Sequence, residues 1–248
     1  MNDAQNTEMN LNTNTFHTQK LLKFCYLILI SVFLFSCGNK SSKDNNEADE
    51  NVSVEEADET VKSIDKKTIL FFGDSITAGY GLDTTDEAFP ALIQEKIDSL
   101  QLNYTVINSG VSGETSSGGR NRIDWILNQD IDVFVLELGA NDGLRGVPLS
   151  ETRNNLQAII DAVKQKKQST DIILAGMELP PNMGQAYTSE FRNVFANLAE
   201  KNDVVFIPFI LKDVGGIKEL NQNDGIHPTA EGHEIIANTV WDYLKPLL

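Results

Sequence analysis

Between residues 69 and 244 the apolar positions follow two patterns that alternate along the chain. Runs at 69–72, 104–107, 131–136, 172–175 and 204–209 are rich in Val, Ile and Phe and apolar on both faces. Such runs read as strands covered by helices on each side. Between them apolar residues recur at spacings of three and four. Phe89, Leu92, Ile93, Ile97 and Leu100 mark one helix, Leu156, Ile159, Ile160 and Val163 another, and Phe191, Val194, Phe195 and Leu198 a third. Ile123, Ile126 and Leu127 suggest a shorter helix, and Ile236, Val240 and Leu244 the last one. Five strands alternating with helices predict an α/β domain, a three-layer α/β/α sandwich on a doubly wound parallel sheet. In such sheets ligands bind beyond the carboxyl ends of the strands.

The residues with chemistry fall at those ends. Gly73-Asp74-Ser75 follows the first strand, Asn108-Ser109-Gly110-Val111-Ser112-Gly113 the second, and Gly139-Ala140-Asn141-Asp142-Gly143 the third. After the fifth strand, residues 210–226 form a long connection that leads into Asp224-Gly225-Ile226-His227-Pro228. A serine hydroxyl needs an imidazole to take its proton as it attacks a carbonyl. Ser75 is therefore the candidate nucleophile, His227 the base, and Asp224 the carboxylate that orients the ring. Pro228 suits the first position of the final helix. The tetrahedral intermediate needs donors, for which the Ser75 N–H, the Gly110 N–H and the Asn141 amide are candidates. Taken singly, each feature also has a plain reading: Ser75 as a helix cap, Gly110 as a turn residue, Asn141 as a cap, and the Asp224–His227 segment as a helix entry. The other imidazole in this region, His233, shares a helical face with Ile236, Ala237 and Val240 and reads as structural.

Composition narrows the partners. A net charge of −16 over 248 residues argues against nucleic acid, whose binders carry basic surfaces. Residues 41–67 hold nine acidic against four basic residues and almost no large apolar side chain, so they read as a solvated linker. Both cysteines, Cys25 and Cys37, precede that linker, which leaves the domain without a disulfide or a thiolate metal site. No metal or cofactor is expected. Lys20 and Lys23 precede an uncharged, mostly apolar run at 24–36, in the order of a secretory signal. About 13 residues rise only ~20 Å as a helix, short of a hydrocarbon core of ~30 Å. The alternative is a signal anchor that stays attached.

Gly73-Asp74-Ser75, Gly110, Gly139-Ala140-Asn141-Asp142 and Asp224-Gly225-Ile226-His227-Pro228, in this order, resemble the four signature blocks of the SGNH (GDSL) hydrolases. The wider match, through Gly79-Tyr80-Gly81-Leu82 and residues 136–146 and 175–182, is most similar to the thioesterase I, lysophospholipase and arylesterase branch. The resemblance implies a flavodoxin-like SGNH fold with five parallel strands. It implies a serine esterase acting on small carboxylic esters or thioesters without cofactor or metal, with Ser75, Asp224 and His227 catalytic and Ser75, Gly110 and Asn141 forming the oxyanion hole. The family's loop after the third block maps to 144–148, so Leu144 and Val147 are expected to line the acyl pocket. Ile76 stands where the eponymous motif has leucine. A carbohydrate O-deacetylase of the same fold and a non-catalytic binding module on a lipoprotein stalk are the alternatives. An α/β-hydrolase is disfavoured, since no Gly-x-Ser-x-Gly elbow occurs.

Leu34-Phe35-Ser36-Cys37-Gly38 resembles the lipobox of bacterial lipoproteins, with the bulky Phe35 as a departure. That resemblance implies lipidation at Cys37 and a place in the bacterial cell envelope, on the outer membrane or the periplasmic face. The domain scheme is then an extension and signal peptide at 1–36, a lipidated cysteine with an acidic linker at 37–66, and a hydrolase domain at 67–248.

Overall fold

The computed structural model describes residues 66–248; the expected signal run, Cys37 and nearly all of the acidic linker lie outside the described residues. Five strands form one parallel sheet in the order β2-β1-β3-β4-β5: β1 (Lys67–Gly73), β2 (Tyr104–Gly110), β3 (Val133–Glu137), β4 (Asp171–Ala175) and β5 (Val205–Ile207). The long helices are α2 (Phe89–Ser99), α3 (Ser116–Ile126), α5 (Leu149–Lys166), α6 (Gln185–Asn202) and α7 (Ala230–Leu244). Two single-turn helices, α1 (Ser75–Ala78) and α4 (Ala140–Leu144), follow β1 and β3 directly. Five apolar runs thus become five strands: β1, β3 and β4 are buried nearly throughout, while the edge strands β2 and β5 stay partly exposed. The fifth is shorter than its run, because Pro208 has no N–H to continue an edge ladder. Leu100 is not on the buried face of α2 but caps its end, half in solvent.

Alternate side chains of β1 enter opposite layers. Phe71 meets Phe89 of α2 edge-on at 5.3 Å, whereas Phe72 packs on Phe134 at 5.5 Å and reaches Gly119 of α3. On one face α2 packs with α7; on the other α5 packs with both α3 and α6. From β1 the chain moves outward to β2, then returns past β1 to β3 and continues the other way. The direction reverses between β1 and β3, so the loops after these strands diverge and leave a crevice at their carboxyl ends. Ser75 and Asn141 stand on the two sides of that crevice.

The start of α2 is capped from a distance. Its N-cap, Ala88, offers no side-chain acceptor, and the Phe89 N–H donates instead to Nδ1 of His233 on α7, at 3.2 Å. His233 is 1% exposed, stacks on the Phe89 ring, and its Nε2 has no partner among the described residues. Burial lowers its pKa to about 4. The ring is therefore neutral in the fold, and the stability it contributes is complete above its unfolded pKa of ~6.5 and lost as pH falls toward 4. His233→Ala is expected to cost about 2 kcal/mol at pH 7, for a lost hydrogen bond and an orphaned N–H. Urea titrations should show the gap from wild type narrowing as pH is lowered through that window.

Candidate active site

Ser75 is the first residue of α1, a turn locked at both ends. Asp74 caps its start, accepting the Ile76 N–H at 3.1 Å on Oδ1, and the Gly79 N–H closes its end on the carbonyls of Ser75 and Ile76. This short helix holds the Ser75 hydroxyl at the floor of a cavity of about 320 Å³, lined also by Tyr80, Ser112, Gly113, Asn141, Leu144, Ile226 and His227.

The imidazole comes from the far end of the chain. His227 Nε2 lies 2.9 Å from Ser75 Oγ, and its Nδ1 lies 2.6 Å from Asp224 Oδ2. Asp224 Oδ1 accepts the N–H groups of Ile226 and His227, at 3.0 and 3.1 Å. The hydrogen bond from the ring, aided by these two amides, lowers the Asp224 pKa to about 2. An ionised carboxylate can only accept, so the ring proton belongs on Nδ1 and Nε2 is left to receive the serine proton.

What holds this loop in place is its tie to the exit of α1. The Gln222 side chain donates to the carbonyls of Tyr80 and Pro228, at 2.7 and 2.9 Å, and its N–H donates to the His227 carbonyl at 2.7 Å. The Tyr80 ring lies 4.6 Å from the imidazole. Pro228 is not the first helical residue: Thr229 caps α7, accepting the Gly232 N–H.

One of the three candidate oxyanion donors lies away from the cavity. Gly110 remains within β2, paired with Gly73, and its N–H is taken by Asn108 Oδ1 at 3.0 Å. A Cβ there would stand 2.2 Å from the Ala78 nitrogen, so glycine is required for α1 to pack against the strand end. Gly110 therefore does not face the site. Gly113, three residues on, does: it lines the cavity at φ +78°, and its N–H makes no hydrogen bond among the described residues. Asn141 lines the same cavity, its Nδ2 donating to Asp74 Oδ2 at 3.1 Å.

Beneath the serine lies an acid pair absent from the sequence reading. Glu137, at the end of β3 and 1% exposed, accepts the Asp74 N–H at 3.2 Å and the Thr77 hydroxyl at 2.7 Å on one oxygen, while the other has no partner. Burial, reinforced by the Asp74 charge, holds the Glu137 pKa well above the usual carboxylate range, and burial lifts Asp74 to about 6. Glu137 therefore holds its proton more tightly than Asp74 does. A charged residue inside the apolar run Leu136-Glu137-Leu138 was the available signal. A further buried carboxylate, Asp142, accepts the Ser116 N–H and hydroxyl and so ties the start of α3 to α4.

A second cavity, of about 330 Å³, adjoins the first across Ile76, Ala140, Leu144 and Ile226 and is lined by Met177, Leu179, Pro180, Phe209 and Leu211 among others. Leu144 borders both. Val147 lines neither, because the turn after α4 carries it back to donate to the Asp142 carbonyl. Among the described residues no group of three or more His, Cys, Asp or Glu is placed to hold a metal ion.

Residues 71–235 match the model of the GDSL-like lipase/acylhydrolase family. The chain is 38% identical over 183 residues to the esterase TesA of Pseudomonas aeruginosa, a match covering 73% of this chain and 90% of that protein. It is 35% identical over 190 residues to the thioesterase 1/protease 1/lysophospholipase L1 of Escherichia coli, covering 76% and 88%. Among solved structures, a psychrotrophic esterase EstA from Pseudoalteromonas inhibited by monoethylphosphonate superposes with a TM-score of 0.69 at 34% identity, covering 73% of this chain and 98% of that one.

Proposed function

The chain belongs to the GDSL-like lipase/acylhydrolase family and is a carboxylic ester hydrolase, and we propose that it works through an acyl-enzyme on Ser75. The hydrogen-bonded line Asp224–His227–Ser75 carries this reading. Ser75 Oγ attacks the ester or thioester carbonyl as its proton passes to His227 Nε2, and the imidazolium is stabilised by Asp224. Charge on the carbonyl oxygen is received by the N–H groups of Ser75 and Gly113 and by Asn141 Nδ2. Collapse breaks the bond to the leaving oxygen or sulfur, which takes the proton from Nε2. Water then repeats the sequence on the acyl-serine and frees the acid.

The two cavities divide the substrate. His227 must reach the leaving atom, so the alcohol or thiol part lies on the side of Tyr80 and Ser112. The acyl chain is left with the adjoining groove of Met177, Leu179, Pro180 and Phe209. That groove is mostly apolar, which favours a medium acyl chain over an acetyl group and ranks ester or thioester hydrolysis above carbohydrate deacetylation. Initial rates on p-nitrophenyl esters are expected to give kcat/KM at least about threefold higher for butyryl or octanoyl than for acetyl, from ~0.8 kcal/mol per buried methylene. Activity confined to acetylated glycans would reverse this order.

The N-terminal reading extends the proposal to location. Processing before Cys37 and lipidation of its thiol would tether the hydrolase to the cell envelope on the acidic segment, supported by the Lys20/Lys23 pair, the apolar run and Leu34-Phe35-Ser36-Cys37-Gly38. Radiolabelled palmitate fed to the producing bacterium should label the full chain and not its Cys37→Ser variant.

A further inference from the structure

The loops that carry Gly113 and Asn141 follow β2 and β3, strands that flank β1 on opposite sides. They meet above α1, and at that meeting point a single nitrogen of Arg145, Nη2, donates to the Gly113 carbonyl at 3.0 Å and to Asn141 Oδ1 at 3.2 Å. Arg145 caps the end of α4, one turn beyond Asn141, and its side chain is exposed.

The consequences are geometric and electrostatic. The Asn141 amide is held between a cation on its oxygen and the Asp74 carboxylate on its nitrogen. Rotating the amide by half a turn would set NH₂ against guanidinium and oxygen against carboxylate, so the two charges fix Nδ2 on the serine side. Gly113 sits at φ +78° with a glycine's freedom, and the hydrogen bond to its carbonyl removes that freedom. The guanidinium also draws electron density from the amide, which strengthens Nδ2–H as a donor.

We propose that Arg145 is a positioning residue for ester hydrolysis, a clamp that holds Asn141 and Gly113 in the arrangement that receives the oxyanion. This rests on the reading of Asn141 as an oxyanion donor. A clamp acts on the transition state and leaves ground-state binding alone, so its signature lies in kcat and not in KM.

The experiment is a mutant cycle on the full chain with p-nitrophenyl butyrate, a neutral substrate that gives a cation nothing to attract. Arg145→Met is expected to lower kcat about tenfold with KM changed less than about twofold, and Arg145→Lys to recover part of the loss. In an Asn141→Ala background the same Arg145→Met change should cost less than about threefold, because the group it orients is gone. A kcat for Arg145→Met within about twofold of wild type would overturn the proposal. So would a full loss persisting without Asn141, or a loss appearing only in KM. Undiminished kcat in Asn141→Ala alone would strike the oxyanion reading beneath it, and is told apart because it needs no change at Arg145.

Discussion

Ser75→Ala is expected to fold normally and to lose on the order of 10⁶-fold in kcat, with His227→Ala close behind. The double variant should be no slower than the worse single one. Nucleophile and base act as one unit: without the imidazole the hydroxyl keeps its proton, and without the hydroxyl the imidazole has no proton to take. Two independently useful groups would instead multiply their losses. Fold is spared because, among the described residues, the Ser75 side chain bonds only to His227, so a methyl leaves no other group unpaired. Single-turnover assays with a p-nitrophenyl ester on the three variants, beside their thermal melts, check both parts.

The second large effect is expected at Asn141. Asn141→Ala should lower kcat by about 10²–10³-fold while KM moves little, the size of one lost oxyanion donor. Asn141→Asp should do no better, although it nearly keeps the shape. Its carboxylate would face the developing oxyanion on one side and Asp74 on the other, where Nδ2 now donates at 3.1 Å. Steady-state kinetics of both variants decide it, and an aspartate variant with near wild-type kcat would count against the donor role.

The central strands were legible because a parallel sheet covered on both faces turns them into apolar runs, as in the fully buried stretch from Ile69 to Phe72. The long helices were legible by their period. The single turns α1 and α4 were not, being too short to show one, yet they carry Ser75 and Asn141. Asp224 and His227 could be paired from sequence since three residues of one turn bring them together. The meeting of His227 with Ser75 joins positions 152 apart in the chain, and only strand order could suggest it. Gly110 and Gly113 lie three apart in one motif, and sequence alone does not say where β2 stops. A glycine still in register is held by the ladder's packing, whereas one just past its end has an amide to offer. Arg145 was invisible as a site residue because its role consists of contacts between loops, whereas Glu137 left the trace of one charge inside an apolar run.

The claim beneath all of this is that Ser75 becomes covalently acylated. Treating the folded, active protein with a fluorophosphonate and reading intact mass and peptide maps tests it most directly, since the reagent needs an activated nucleophile beside oxyanion donors. The expected result is one phosphonyl group per chain, on Ser75, with esterase activity lost in step. Activity lost with the adduct on another residue, or activity surviving full modification of Ser75, would contradict it.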